Sequence, residues 1–141
     1  MKRALNTIAL MFLLAPLGAF AHENEDYEHS HLYEHIHTEQ LKKMRDAGES
    51  LVLIDARTKP QDDKNRIPGA KSLPFNSPDT MISTLIPSKE MMVVVYCINS
   101  RCHESGFLAE RLATLGYKHV YRYQDGINDW IQHGYTVEQA K

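Results

Sequence analysis

The sequence predicts an α/β domain built on a parallel sheet with helices packed against it. Two unbroken apolar runs, at residues 51–54 (LVLI) and 91–96 (MMVVVY), have the length and β-branched content of strands buried on both faces. Apolar residues also recur at helical spacing beyond them, most clearly Leu108, Leu112 and Leu115. Strands that alternate with helices need crossover connections, and crossovers pair strands in parallel.

Taken in order, the chain opens with Met1-Lys2-Arg3, a mostly apolar run from Ile8 to Leu17, and Gly18-Ala19-Phe20-Ala21. A basic head, a short apolar core and a small-x-small exit form the pattern of a secretory signal peptide over residues 1–21. The apolar run is too short for a membrane-crossing helix, which takes about 20 residues. The expected location is therefore the periplasm or the cell exterior, with no membrane attachment once the signal is cleaved.

Residues 22–35 read as a mobile arm rich in histidine and acidic residues, ahead of one domain over residues 36–138. His29, His31, His35 and His37 are spaced so that imidazoles can chelate zinc, copper or nickel, although without a rigid scaffold such a site is weak.

Thr38 is positioned to cap a helix over residues 40–47, with Leu41 and Met44 on one face and Gly48 as its stop. The first apolar strand then ends abruptly at Asp55-Ala56-Arg57. A polar stretch leads to a turn at Ile67-Pro68-Gly69-Ala70 and a short segment at Ser72-Leu73-Pro74. Pro78 and Pro87 bracket a short helix carrying Met81, Ile82, Leu85 and Ile86. The second strand delivers Cys97 at its C-terminal end. A helix over residues 105–115 follows and stops at Gly116, then a strand at His119–Tyr123. A last helix places Ile127, Trp130 and Ile131 on one face and ends at Gly134.

The chain has 16 basic and 18 acidic residues, a net charge of −2 with neutral histidines. Removing the leader takes away two basic residues and no acidic ones, so the exported form is more acidic still. That balance, without a basic cluster, argues against nucleic acid as the main partner.

Of the two cysteines, Cys97 and Cys102, a pair this close in sequence staples little of the fold. Cys97 stands where ligands bind in open parallel sheets, beyond the C-terminal end of a strand. Loop amides and the free N–H groups of a following helix favour the thiolate there. Ser105 is positioned to cap that helix, and Arg101 and His103 offer positive charge or a proton. Such a pocket suits a small anion meeting a thiolate. The plainer reading is an inert cysteine buried at a strand end, and spacing alone leaves both open.

The segments Leu53-Ile54-Asp55-Ala56-Arg57, Arg66-Ile67-Pro68-Gly69-Ala70 and Val95-Tyr96-Cys97 resemble the family marks of rhodanese domains. So do Leu115-Gly116-Tyr117 and Gln124-Asp125-Gly126-Ile127 followed by Trp130. The order and spacing match from about Ile36 to Val137. This resemblance implies a parallel five-stranded sheet flanked by helices. It also implies a sulfurtransferase in which the cysteine takes a sulfane sulfur as a persulfide and passes it on. Carried over, Cys97 is the nucleophile, the backbone of Ile98, Asn99, Ser100, Arg101 and His103 with Ser105 forms the substrate-binding loop, and Arg101 contacts the anion. Asp55 and Arg57 correspond to structural supports. The implied partners are a small sulfur-containing anion such as thiosulfate or polysulfide and an acceptor thiol, and the chemistry needs no cofactor.

Two departures stand out. Seven residues, Ile98 to Glu104, separate Cys97 from Ser105, more than is usual in the sulfurtransferases. The longer loop resembles the phosphatase and arsenate-reductase branch, but His103 stands where that branch grips its oxyanion with arginine. The second departure is Cys102 inside the loop, a possible resolving thiol for an adduct on Cys97. Three readings follow: a sulfane-sulfur enzyme or carrier using Cys97, a thiol–disulfide redox or sensor module using both cysteines, and a metal-binding or interaction protein working through the histidine arm.

Overall fold

The computed structural model describes residues 32–140. The signal segment and most of the arm, including His22, His29 and His31, lie outside the described residues.

A parallel five-stranded sheet forms the centre, in the order β1-β6-β5-β2-β4. Its strands are β1 (Glu34–Ile36), β2 (Leu51–Asp55), β4 (Lys71–Ser72), β5 (Met92–Tyr96) and β6 (His119–Tyr123). β5 is the middle strand, in register with β2 from Leu51↔Met92 to Asp55↔Tyr96 and with β6 from Met92↔His119 to Tyr96↔Tyr123. Among the described residues, four α-helices cover the sheet: α1 (Thr38–Asp46), α2 (Asp79–Leu85), α3 (Glu104–Thr114) and α4 (Gly126–Gln132).

The apolar run of β5 is buried from Val93 to Tyr96 because each face of the sheet has its own core. Val93 and Val95 pack with Ile82 of α2 and with Leu108, Ala109 and Leu112 of α3. Val94 and Tyr96 pack on the other face with Leu41 of α1 and with Ile127 and Trp130 of α4. The alternation follows from the two-residue period of a strand.

Several elements differ from the sequence-based expectation. The arm does not extend through residue 35: Glu34–Ile36 form edge strand β1, paired in parallel with Tyr121–Tyr123. Helix α1 starts earlier, with His37 as N-cap and its backbone N–H donating to Gln40 Oε1 at 2.9 Å. Thr38 is not the cap. It is buried, bonds the Tyr123 hydroxyl at 2.7 Å and also donates to Asp129. Met81 and Ile131 point outward, at 46% and 43% exposure. Consecutive residues on a helix point in different directions around its axis, and here Ile82 and Trp130 take the core positions while Met81 and Ile131 turn outward. A two-stranded antiparallel ribbon, β3 (Asn65–Arg66) with β7 (Glu138–Gln139), was not foreseen, since two-residue strands carry no periodicity.

Candidate active site

The site is assembled at the C-terminal edge of the sheet. Cys97 follows β5 directly and is 1% exposed. Residues 98–103 make the loop, and α3 begins at Glu104, one residue earlier than expected. The loop is folded back by its own backbone. Cys102 N–H donates to Asn99 O at 3.1 Å, and Arg101 N–H to Asn99 Oδ1 at 3.0 Å. This turn brings Cys102 to Cys97, and the two form a disulfide with their Cα atoms 6.1 Å apart.

Helix α4 holds the loop from beneath. Ile127 N–H donates to Cys97 O and Asn128 N–H to Ile98 O, both at 3.0 Å. Gly126 permits this approach. Its φ is +76°, and a Cβ there would lie 2.7 Å from Cys97 O and from Asn99 N. Because a trans peptide sets its N–H opposite its C=O, the amides of Ile98 and Asn99 face away from α4. From the β6 side, the buried guanidinium of Arg122 donates through NH2 to Cys102 O at 2.9 Å and through Nε to Ser105 Oγ at 3.1 Å.

Glu104 stands at the start of α3 and reaches both sulfurs. Its Oε2 lies 2.8 Å from Cys102 Sγ and 3.9 Å from Cys97 Sγ. Its Oε1 accepts a hydrogen bond from Gln61 Nε2 at 2.9 Å. Among the described residues, Cys97, Cys102 and Glu104 form a group of possible metal ligands, their ligand atoms all within 4.8 Å of one another. A disulfide leaves its sulfurs poor ligands, so a cation there would need the reduced pair.

Behind Gln61 lies a buried charged network. Asp55 accepts from Arg57 Nε and NH2 and from the Tyr96 hydroxyl at 2.8–3.1 Å, and it forms an ion pair with Arg66 Nε at 3.2 Å. Arg57 NH1 also reaches Asp63 and the Gln61 carbonyl, at 2.9 and 3.5 Å. Burial alone would pull the Arg57 guanidinium down. The hydrogen bonds and charge of Asp55, with help from Asp63, more than reverse this, and its pKa ends raised. Burial, reinforced by the charge of Asp55, pushes the Tyr96 hydroxyl far up, so it stays a hydrogen-bond donor. At the edge of the network, the Arg66 hydrogen bonds hold the Asp62 carboxyl well below the usual range.

The expected site residues thus fall into distinct places. Cys97 and Cys102 meet at the head of the loop. Ile98 and Asn99 are half-buried beneath it, whereas Ser100, Arg101 and His103 are exposed. Asn99, Ser100 and Arg101 line a polar cleft with Asn128 and Asp129, and neither sulfur borders it. Ser105 is neither the cap of α3, which is His103, nor open to solvent. It is 1% exposed and bonded to Arg122, a position that suits support rather than substrate contact. Asp55 and Arg57 sit in the network that backs the site.

His35 lies in β1, and the His37 ring bonds Asp125 at 3.0 Å, so both belong to the folded domain and not to a mobile chelating arm. Sequence reasoning missed Glu104, Gln61, Arg122 and the close packing of Gly126. For Gly126 the turn-forming pair Asp125-Gly126 was the available signal.

The rhodanese-like domain family matches residues 37–133 of the chain. The thiosulfate sulfurtransferase PspE of Escherichia coli is 36% identical over 67 residues, which cover 48% of this chain and 62% of that protein. The match therefore spans less than two thirds of that relative's length. Among solved structures, a Bacillus halodurans protein superposes with a TM-score of 0.67 at 27% identity, over 76% of this chain and 77% of that one. An E. coli rhodanese determined with anions gives a TM-score of 0.52 at 29% identity, over 63% of this chain and 98% of its own. With the sheet order and the cysteine at the end of its middle strand, the family match places this chain in the rhodanese-like domain family.

Proposed function

We propose that the protein is an exported sulfurtransferase or sulfane-sulfur carrier that forms a persulfide on Cys97. The observation that carries this reading is the position of Cys97: last out of the middle strand, at the head of a loop that leads into the N-terminus of α3. Oriented amides and helix dipole at such a place favour a sulfur anion. The similarity to a thiosulfate sulfurtransferase supports the same substrate class.

The cysteine pair must first be reduced. The Cys97 thiolate then attacks the outer sulfur of thiosulfate, the S–S bond of the donor breaks, and sulfite leaves with the bonding pair. An acceptor thiolate next attacks the outer sulfur of the persulfide and returns Cys97 as thiolate. Arg101, exposed on the loop, attracts the anionic donor.

The disulfide favours one second reading, a thiol–disulfide redox module that uses both cysteines. Intact mass separates the two. The reduced protein is mixed with thiosulfate beside Cys97→Ser and Cys102→Ser. Gain of one sulfur that needs Cys97 and not Cys102 supports sulfur transfer. Loss of two hydrogens that needs both cysteines, with sulfur never taken up by any form, favours the redox module.

A further inference from the structure

Glu104 is a group that sulfur loading leaves unused. Its carboxylate is aimed at the cysteine pair and is nearer Cys102 than Cys97, at 2.8 against 3.9 Å. Gln61 holds the other carboxylate oxygen at 2.9 Å, and the Gln61 carbonyl is tied in turn to buried Arg57. A negative group beside Cys97 does nothing to attract an anionic donor. It does have a use one step later. A thiol attacks sulfur only as its thiolate, and Cys102 has this acceptor within reach of its proton.

We propose that Glu104 takes the proton of Cys102, so that Cys102 discharges a Cys97 persulfide as hydrosulfide and closes the disulfide seen in the structure. The proposal rests on the persulfide reading above. In the step, the Cys102 thiolate attacks Cys97 Sγ and forms the Sγ–Sγ bond. The bond from Cys97 Sγ to the outer sulfur breaks, and the outer sulfur leaves with the electron pair. In this exchange the outer sulfur is reduced to hydrosulfide as Cys102 Sγ is oxidised, and Cys97 Sγ keeps the oxidation level it gained on loading, so no outside oxidant is needed. The proton on Glu104 passes to the departing sulfide or to water. A dithiol reductant then reopens the disulfide, making the overall reaction thiosulfate plus dithiol giving sulfite, hydrosulfide and disulfide.

The loop is already shaped for this step. The turn closed by Asn99 O and Cys102 N–H sets the two Cα atoms at bridging distance, and Arg122 fixes the Cys102 carbonyl from behind. An acidic residue in a first helical turn also has a simple structural use in balancing the helix dipole. The test must therefore read the proton.

Reduced protein is loaded with thiosulfate, stripped rapidly of donor and reductant, and followed by intact mass and a sulfide probe. Rates are taken on protein already carrying the extra sulfur, so differences in loading drop out. Wild type should lose that sulfur as hydrosulfide and end as the disulfide. Cys102→Ser should keep the extra sulfur and release no sulfide. Glu104→Gln should discharge at least roughly tenfold more slowly at neutral pH and recover as pH rises. Glu104→Asp should fall between.

Glu104→Gln matching wild type in both rate and pH profile overturns the proposal, as does Cys102→Ser discharging like wild type. Failure of every form to take up sulfur overturns the persulfide reading, and this proposal with it.

Discussion

At the scale of single residues, the site depends on a position with no side chain. Gly126 has positive φ and meets the backbone of Cys97, Ile98 and Asn99. Gly126→Ala adds left-handed strain of about 1–2 kcal/mol and forces α4 off the loop. We expect a lower melting temperature and a larger loss of sulfur loading, read by thermal denaturation and intact mass. Unchanged loading would mean that the α4 contact does not shape the site. The sequence shows Cys97 readily, because a cysteine that ends an apolar run is conspicuous. It does not show Glu104, Gln61 or Arg122 as partners. Gln61 and Glu104 lie 43 positions apart, and Arg122 and Cys102 lie 20 apart. No local pattern joins such residues.

At the scale of elements, β1 and α1 are joined to α4 through Asp125. Its carboxylate bonds the His37 ring at 3.0 Å and the Thr38 N–H at 3.0 Å. Burial would raise the Asp125 carboxyl, but these hydrogen bonds and the His37 charge outweigh it and hold the group below its ordinary range. A depressed carboxyl stabilises the fold above the unfolded pKa, near 4 for aspartate. That contribution is lost as pH falls through the lower folded-state value. Asp125→Asn should therefore destabilise the protein by about 1 kcal/mol at neutral pH. The gap from wild type should narrow as pH drops below about 4, measured by urea unfolding across the acid range. A gap that stays constant with pH would contradict this account of the junction. The junction also explains why β1 is hard to foresee. A three-residue edge strand in a histidine- and acid-rich stretch has the composition of an arm, and only β6 beside it makes it a strand.

At the scale of the whole molecule, stability rests on two apolar layers, one on each face of the sheet, and little on the disulfide. Bridging cysteines five positions apart closes a small loop, for which chain entropy gives about 2 kcal/mol. Reduction should leave the far-ultraviolet circular dichroism unchanged and lower the melting temperature by no more than about 10 °C. Collapse of the fold on reduction would make the pair a structural staple and weaken both thiol-based readings.

Read alone, the sequence determines the alternation of strands and helices, the buried status of β2 and β5 and the placing of Cys97 at a strand end. These are local properties: hydrophobic period, turn chemistry and the point where apolar residues give way to polar ones. Tertiary structure decides which side of a helix residue 81 or 131 faces, that Ser105 turns inward to Arg122, and that His35 and His37 join the folded body. It also decides that Glu104, clamped by Gln61, stands over the cysteine pair. Each of these depends on groups brought together by parallel crossovers, and a crossover links residues far apart in the chain that share no periodicity.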